Sequence, residues 1–205
     1  MLIEEKLMTD SFSIIDTPQD ERGTWMQVLD GRRFYPLDPR PEEVFIEDIA
    51  QSLSRQIRFN GLSDEIINVG QHSCNAAWFA EMEGYGAKVQ LAALMHDAAE
   101  TYVADMVRPL KVEFPAYREA EDEVTSCINQ ALNLPIIDHV LIKRFDNLCL
   151  AWEKRDMYPS SEPWPMTLDV PIYCPNKLTT WNHDFTCTRF LQLYHWLKAE
   201  VAYDG

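Results

Sequence analysis

The sequence predicts a mainly α-helical fold with a small β-hairpin near the N-terminus. Three observations carry this. Apolar residues recur at helical spacing over most of residues 44–157 and again over 181–201. One stretch near the front, TWMQVLDGRRFYP at 24–36, reads as paired strands. The 205 residues, hydrophobic at 46% and charged at 25%, suit one domain with a full core rather than two.

In the hairpin, Asp30-Gly31 is a type I′ turn signal between two strand-like runs. Pro39 and Pro41 punctuate the chain after it. Ile46, Ile49, Ala50, Leu53 and Ile57 then repeat at helical spacing, which puts Glu47, Asp48, Ser52 and Arg55 outward. Gly61 is the expected stop, with Arg58 and Phe59 at the helix end. A second helix is expected from Asp64 to Met82, with His72 near its middle. A third, Ala87 to Tyr102, is apolar almost all round and is expected to be the central buried helix. Beyond Pro109, Tyr117 to Leu132 is acidic and amphipathic, and Pro135 separates it from a helix at Ile136 to Met157. Residues 158–180 carry prolines 159, 163, 165, 171 and 175 and read as a long ordered loop. Trp181 to Val201, rich in aromatics, is the last helix. There is no internal repeat, and the whole of 1–205 reads as one domain.

Charge and cysteine usage exclude several classes. The net charge of −15 repels nucleic-acid backbones, whose binding rests largely on Lys and Arg neutralising phosphates, so no nucleic-acid polymer is expected as partner. A small phosphorylated ligand remains compatible, given a local positive charge such as a metal ion. No apolar run approaches the roughly 20 residues needed to span a bilayer. The start, MLIEEKLMTDSFSII, lacks the apolar region of about 7–15 residues of a secretory signal. Met8 offers an alternative start. The five cysteines form no CxxC pair and leave an odd count, which points to a reducing cytoplasm.

One stretch carries more polar groups than a buried helix needs: LMHDAAETYVADMVRPLK, Leu94 to Lys111. On a helix, His96 and Glu100 share a face at i and i+4, and Asp97 neighbours Glu100 at i and i+3. His96 and Asp97 diverge by about 100° yet can both reach an ion lying over the helix. Two more candidates lie elsewhere: His72 in VGQHSCNAAW and Asp146 in LIKRFDNLCLAW. Two imidazoles and two carboxylates from three helices would form an N/O site suited to Zn, Mn, Co, Fe or Ni better than Ca, with positions open for water. Each residue also has a plainer reading. His72 alone can be a satisfied core histidine, Asp146 a salt-bridge partner of Lys143, and Glu100 and Asp105 solvated groups. Competing motifs are incomplete: HDAAE lacks the second histidine of HExxH, GYGAKV is not GxGxxG, and neither GxSxG nor a Walker A lysine occurs.

In that order, a histidine, then His-Asp, then a distal aspartate, the chain resembles the HD-domain metal-dependent phosphohydrolases. The likeness is greatest to their 5′-deoxynucleotidase-like branch, which includes bacteriophage-encoded members. The segments that resemble it are RFYPLDPRPEEVFIEDIAQSLSRQIRFNG, QHS, LMHDAAE, Asp105 with RPLK, and RFDNLCLAWEKRDM, within residues 24–157. The resemblance implies an HD-type helical bundle and makes His72, His96, Asp97 and Asp146 the ligands of a divalent ion (Co, Mn, Zn, Mg, Fe or Ni). Glu100 would orient or deprotonate the attacking water. Arg58 and Asp105 would line the phosphate and leaving-group side. Some phage members are dATP triphosphohydrolases and others resemble nucleoside monophosphate phosphatases. A homo-oligomer in the cytoplasm, the host's if phage-encoded, is the implied setting. One departure is LSDEIINVG between RFNG and QHS, where relatives often carry a histidine after the glycine and an aromatic before the VAQHS-like segment. Alarmone hydrolases carry Glu-Asp after the HD, whereas Glu100 precedes Thr101 here. Cyclic-dinucleotide phosphodiesterases carry HDxGK in place of HDAAE.

The expected reaction is hydrolysis of the 5′ phosphoester of a deoxynucleotide, releasing nucleoside with phosphate or triphosphate. Arg58 would hold phosphoryl oxygens with its bidentate fork, and Asp105 would protonate or position the 5′ oxygen. Phe59 would pack on the base or sugar, or else in the core. The alternative is a catalytically silent nucleotide-sensing or interaction protein on the same fold.

Overall fold

Asp30 and Gly31 take positive φ values of 57° and 72°, the pair that a type I′ turn demands. The Arg32 amide donates to the Leu29 carbonyl across this turn. Met26 pairs with Phe34 and Gln27 with Arg33, giving an antiparallel hairpin of β1 (Met26–Gln27) and β2 (Arg33–Phe34). A computed structural model describes residues 21–159, 162, 164, 169–175 and 177–203. Met8, the N-terminal segment and prolines 163 and 165 lie outside the described residues. Within them the chain is mainly helical, as expected.

The first helix, α1 (Ile46–Arg55), begins with Glu47 and Asp48 in its first turn and ends with Arg55, all favourable to the helix dipole. Asp48 is buried rather than outward. The hairpin covers it: the Leu29 amide and Arg32 Nη2 both donate to its Oδ1 at 3.1 Å. Phe34 of the hairpin stacks on Tyr102 at 3.7 Å between ring centroids. The helix stops at Arg55, before the expected Gly61. Gln56 and Ile57 run extended and the segment pairs with 67–69, through Val69 N to Gln56 O and Arg58 N to Ile67 O, both 3.0 Å, before a short 3-10 turn over residues 58–61. Backbone groups satisfied across this pairing have no need of a further helical turn.

Asn68, not Asp64, starts the next helix, α2 (Val69–Met82), by accepting the Gln71 amide on its Oδ1 at 2.8 Å. Its Nδ2 donates to Thr186 Oγ1 at 3.1 Å, which ties the start of α2 to the last helix. The apolar run from Ala87 is broken in two, α3 (Ala87–Leu94) and α4 (Glu100–Val103). Between them the amides of Ala98, Glu100 and Thr101 bond three residues back, to Met95, Asp97 and Ala98. The His-Asp pair therefore sits in a tightened turn, not on a regular helix. Then follow α5 (Arg108–Lys111), α6 (Pro115–Ala131), α7 (His139–Met157) and α8 (His183–Tyr203). Asp138 caps α7 by accepting the Val140 amide at 2.9 Å. The described residues of 158–180 contain no helix or strand.

The central helix is α2, not 87–102. It packs against α1, α3, α7 and α8 and is buried on nearly every face. Its small residues allow this close approach. Val69, Cys74 and Ala77 join a core with α1, α3, α6, α8 and the hairpin. Ala76, Phe79 and Ala80 join a second core with α7, through Phe145, Leu148, Cys149 and Trp152. The five cysteines are free. Among the described residues no helix is long and apolar enough to cross a membrane.

A Cβ on Gly70 would stand 2.8 Å from Thr186 Cγ2 and 3.3 Å from the backbones of Leu53 and Ser54. Gly70→Ala should therefore push α2 off α1 and α8, at a cost of about 1–3 kcal/mol. Thermal denaturation should read this as a midpoint lowered by roughly 2–10 °C. An unchanged midpoint would mean that the three helices do not meet this closely.

Candidate metal centre

His72 is fully buried in the middle of α2, on the stripe shared with Ala76 and Phe79 that faces α7. Its Nδ1 lies 2.6 Å from Glu153 Oε1. His96, in the tightened turn after α3, has Nδ1 2.8 Å from the Ala93 carbonyl. A carbonyl oxygen only accepts, so Nδ1 of His96 carries the proton, and a carboxylate imposes the same on His72. Both imidazoles thus direct Nε2 inward. Both Nε2 atoms are buried and without a hydrogen-bond partner among the described residues.

Asp146 of α7 and Asp97 complete the convergence. Asp146 Oδ1 stands 3.2 Å from His72 Nε2 and 4.0 Å from His96 Nε2. Asp97 Oδ2 stands 3.2 Å from His96 Nε2 and 3.6 Å from His72 Nε2. Neither Nε2 makes a well-formed hydrogen bond to these oxygens, and the four atoms stand close together. Ligand atoms about 2.1 Å from one ion lie about 3.0–3.4 Å apart when adjacent and about 4 Å when opposed. Three of the four observed spacings fall on these values, and His72 to Asp97, at 3.6 Å, lies between them. One ligand atom from each of His72, His96 and Asp146 lies within 4.8 Å of the others, a group able to hold a divalent ion, with Asp97 beside it.

The acidic surroundings favour positive charge at this point, which in the metal-free protein is a proton on His72. Burial and the Arg58 charge resist protonation of His72, but Glu153 and Asp146 outweigh them and push its pKa up to about 10 in the metal-free protein. Burial alone would raise the Asp146 carboxyl, yet His72, His96 and Lys143 hold it well below the usual range. Asp97 is likewise lowered against burial, by His96 and His72. Lys143 pairs with Asp146 Oδ2, so the plainer reading of that aspartate is also true of its outer oxygen.

The other expected residues surround this centre. Arg58 is buried at the start of the short 3-10 turn that follows α1, three residues past the end of that helix, with Nη1 3.8 Å from Asp97 Oδ2. Glu100 is buried, and its Oε2 has no hydrogen-bond partner among the described residues. Burial, then Asp97 and Asp105, raise its carboxyl well above the usual range. Burial also raises Asp105, with Arg58 opposing. Before Asp105, Ala104 takes φ 66° and ψ 161°, a region nearly restricted to glycine. Phe59, at φ 56°, meets Tyr158 edge-on at 5.4 Å and Trp164 at 6.0 Å, so its ring packs with aromatics at the margin of the site.

Sequence reasoning missed Glu153 and Gln56. Glu153 lies seven residues after Asp146, on the same face of α7, and that spacing was the available signal. Gln56 donates from Nε2 to the Glu100 carbonyl at 2.9 Å and accepts the Asp105 amide on Oε1 at 3.2 Å. It thereby ties the end of α1 to both carboxylates, a link without a local sequence signature.

No protein-family model matches the chain. It is 30% identical over 149 residues to the uncharacterized protein YfdR of Escherichia coli, an alignment covering 72% of this chain and 81% of that one. It is 38% identical over 125 residues to the uncharacterized protein RCAP_rcc00048 of Rhodobacter capsulatus, covering 58% of this chain and 64% of that one.

The protein should retain a divalent ion through dialysis. His72→Ala, His96→Ala and Asp146→Ala should each weaken binding by more than the roughly 10–100-fold typical of losing an outer partner. Metal analysis and titration check this; full metal content in all three variants would refute the site. Because His72 holds a second proton below about pH 10 when metal-free, binding must expel it. Apparent affinity should therefore rise with pH, with proton release measurable by calorimetry in buffers of different ionisation heat.

Proposed function

This chain belongs to the family of the Escherichia coli protein YfdR, and we propose that it is a metal-dependent phosphohydrolase of the HD type acting on the 5′ phosphoester of deoxynucleotides. The observation that carries the reading is the pair of imidazoles with Nδ1 committed elsewhere and Nε2 converging with two carboxylates on one point. A structural cluster would turn those nitrogens onto donors or acceptors of its own. A cation in their midst would give these nitrogens and the carboxylates beside them a common partner.

His72, His96, Asp97 and Asp146 would hold a divalent ion, which would supply an acidified water, its pKa lowered from about 16 toward about 7, and polarisation of a phosphoryl oxygen. The residues around it divide the remaining work. Glu100 offers an unpartnered oxygen with raised basicity, suited to accept a proton from the attacking water. Arg58 holds the phosphoryl oxygens and compensates their charge. Asp105, raised by burial, is fit to carry a proton and give it to the departing 5′ oxygen. Attack at the α-phosphorus releases a nucleoside whether one phosphate or three depart, so this machinery serves a monophosphate or a triphosphate, dATP included.

The test is incubation with each dNMP, dNTP and ribonucleotide plus Mn, Co or Mg, with identification of nucleoside, phosphate and triphosphate. Glu100→Gln should keep its metal and lose roughly 10²–10⁴-fold in turnover. Turnover that survives His96→Ala and Asp146→Ala would sink the reading. Bound metal without turnover on any nucleotide would favour a nucleotide-sensing protein instead.

A further inference from the structure

We propose that Glu153 is a positioning residue that locks the metal ligand His72 and the guanidinium of Arg58 into one unit, so that one carboxylate aligns both the cation and the anion side of the site. The inference rests on the metal reading given above. Glu153 is fully buried on α7. Its Oε1 takes the proton of His72 Nδ1 at 2.6 Å. Its Oε2 accepts from Nε and Nη2 of Arg58, both at 3.2 Å. A carboxylate removed this far from water needs donors on its oxygens, and these residues supply them. Both oxygens are thereby occupied, so Glu153 acts through its neighbours and is not itself a ligand.

Two consequences follow from the geometry. The His72 ring cannot exchange its tautomer without losing the Glu153 bond, so Nε2 stays directed at the ligand point. Arg58 would otherwise be drawn onto Asp97, whose Oδ2 the cation needs. With Nε and Nη2 held by Glu153, the guanidinium stays back, and its Nη1 remains 3.8 Å from that oxygen. That remaining donor is the one left to meet a phosphoryl oxygen.

Co(II) titration followed by visible absorption, with inorganic phosphate then added to the loaded protein, reads both sides without turnover. Glu153→Gln keeps a carbonyl oxygen for His72 but presents an amide N–H to Arg58. Its Co(II) affinity should stay within about threefold of wild type while phosphate binding weakens roughly tenfold or more. Glu153→Ala removes both partners, and Co(II) binding should weaken by about 10–100-fold with an altered spectrum. Circular dichroism checks folding; if the unpaired Arg58 unfolds the alanine variant, the glutamine variant decides alone. Variants that bind Co(II) and phosphate like wild type, with an unchanged spectrum, overturn the role of Glu153 and leave the metal reading intact. A folded wild type that takes up no Co(II) overturns the metal reading and this inference with it.

Discussion

A carboxylate buried without water dictates much of this structure. Glu153 on α7 meets His72, 81 residues earlier on α2, and Arg58, 95 residues earlier in the connection between α1 and α2. Leaving any one of these groups unpaired would strand a charge in the interior, at a cost of about 3–5 kcal/mol. The three must therefore be brought together or not buried at all. This requirement ties α7 to α2 and to the connection between α1 and α2.

Around that pairing the fold brings together candidate ligand atoms from distant parts of the chain. α2 supplies His72, the tightened turn after α3 supplies His96 and Asp97, and α7 supplies Asp146. The turn is as important as the helices. A regular helix through 95–99 would direct His96 and Asp97 some 100° apart. In the observed turn Asp97 Oδ2 stands 3.2 Å from His96 Nε2. Gln56 then fixes the far side of the turn by holding the Glu100 carbonyl and the Asp105 amide. The positive φ at Ala104 and Phe59 marks where the backbone is held away from its preferred conformations beside the site.

Local signals in the sequence had different reach. Asp30-Gly31 specified its turn because only residues tolerant of positive φ fit there. The apolar periodicity placed α6, α7 and α8 to within a few residues, because those helices bury one face and punctuation flanks them. It failed for Asp48, which the hairpin covers, and for Asp64 to Asn68, where pairing with residues 56–58 replaces the helical bonds. It also failed at 95–99, where apolar residues continue through a change of backbone geometry that composition does not record.

The chemistry of the candidate site was legible in residue type alone. Imidazoles and carboxylates in a chain with few other reasons to bury them, His72, His96, Asp97 and Asp146, could be named before any coordinates, because donor identity is a property of the side chain. What the tertiary structure decided is which nitrogen each histidine presents. That depends on Glu153 and the Ala93 carbonyl occupying the opposite ring atoms. It decided equally that Asp146 has one oxygen toward the centre and one toward Lys143. Direction and distance arise from contacts between residues far apart in the chain, and no spacing along the sequence encodes them.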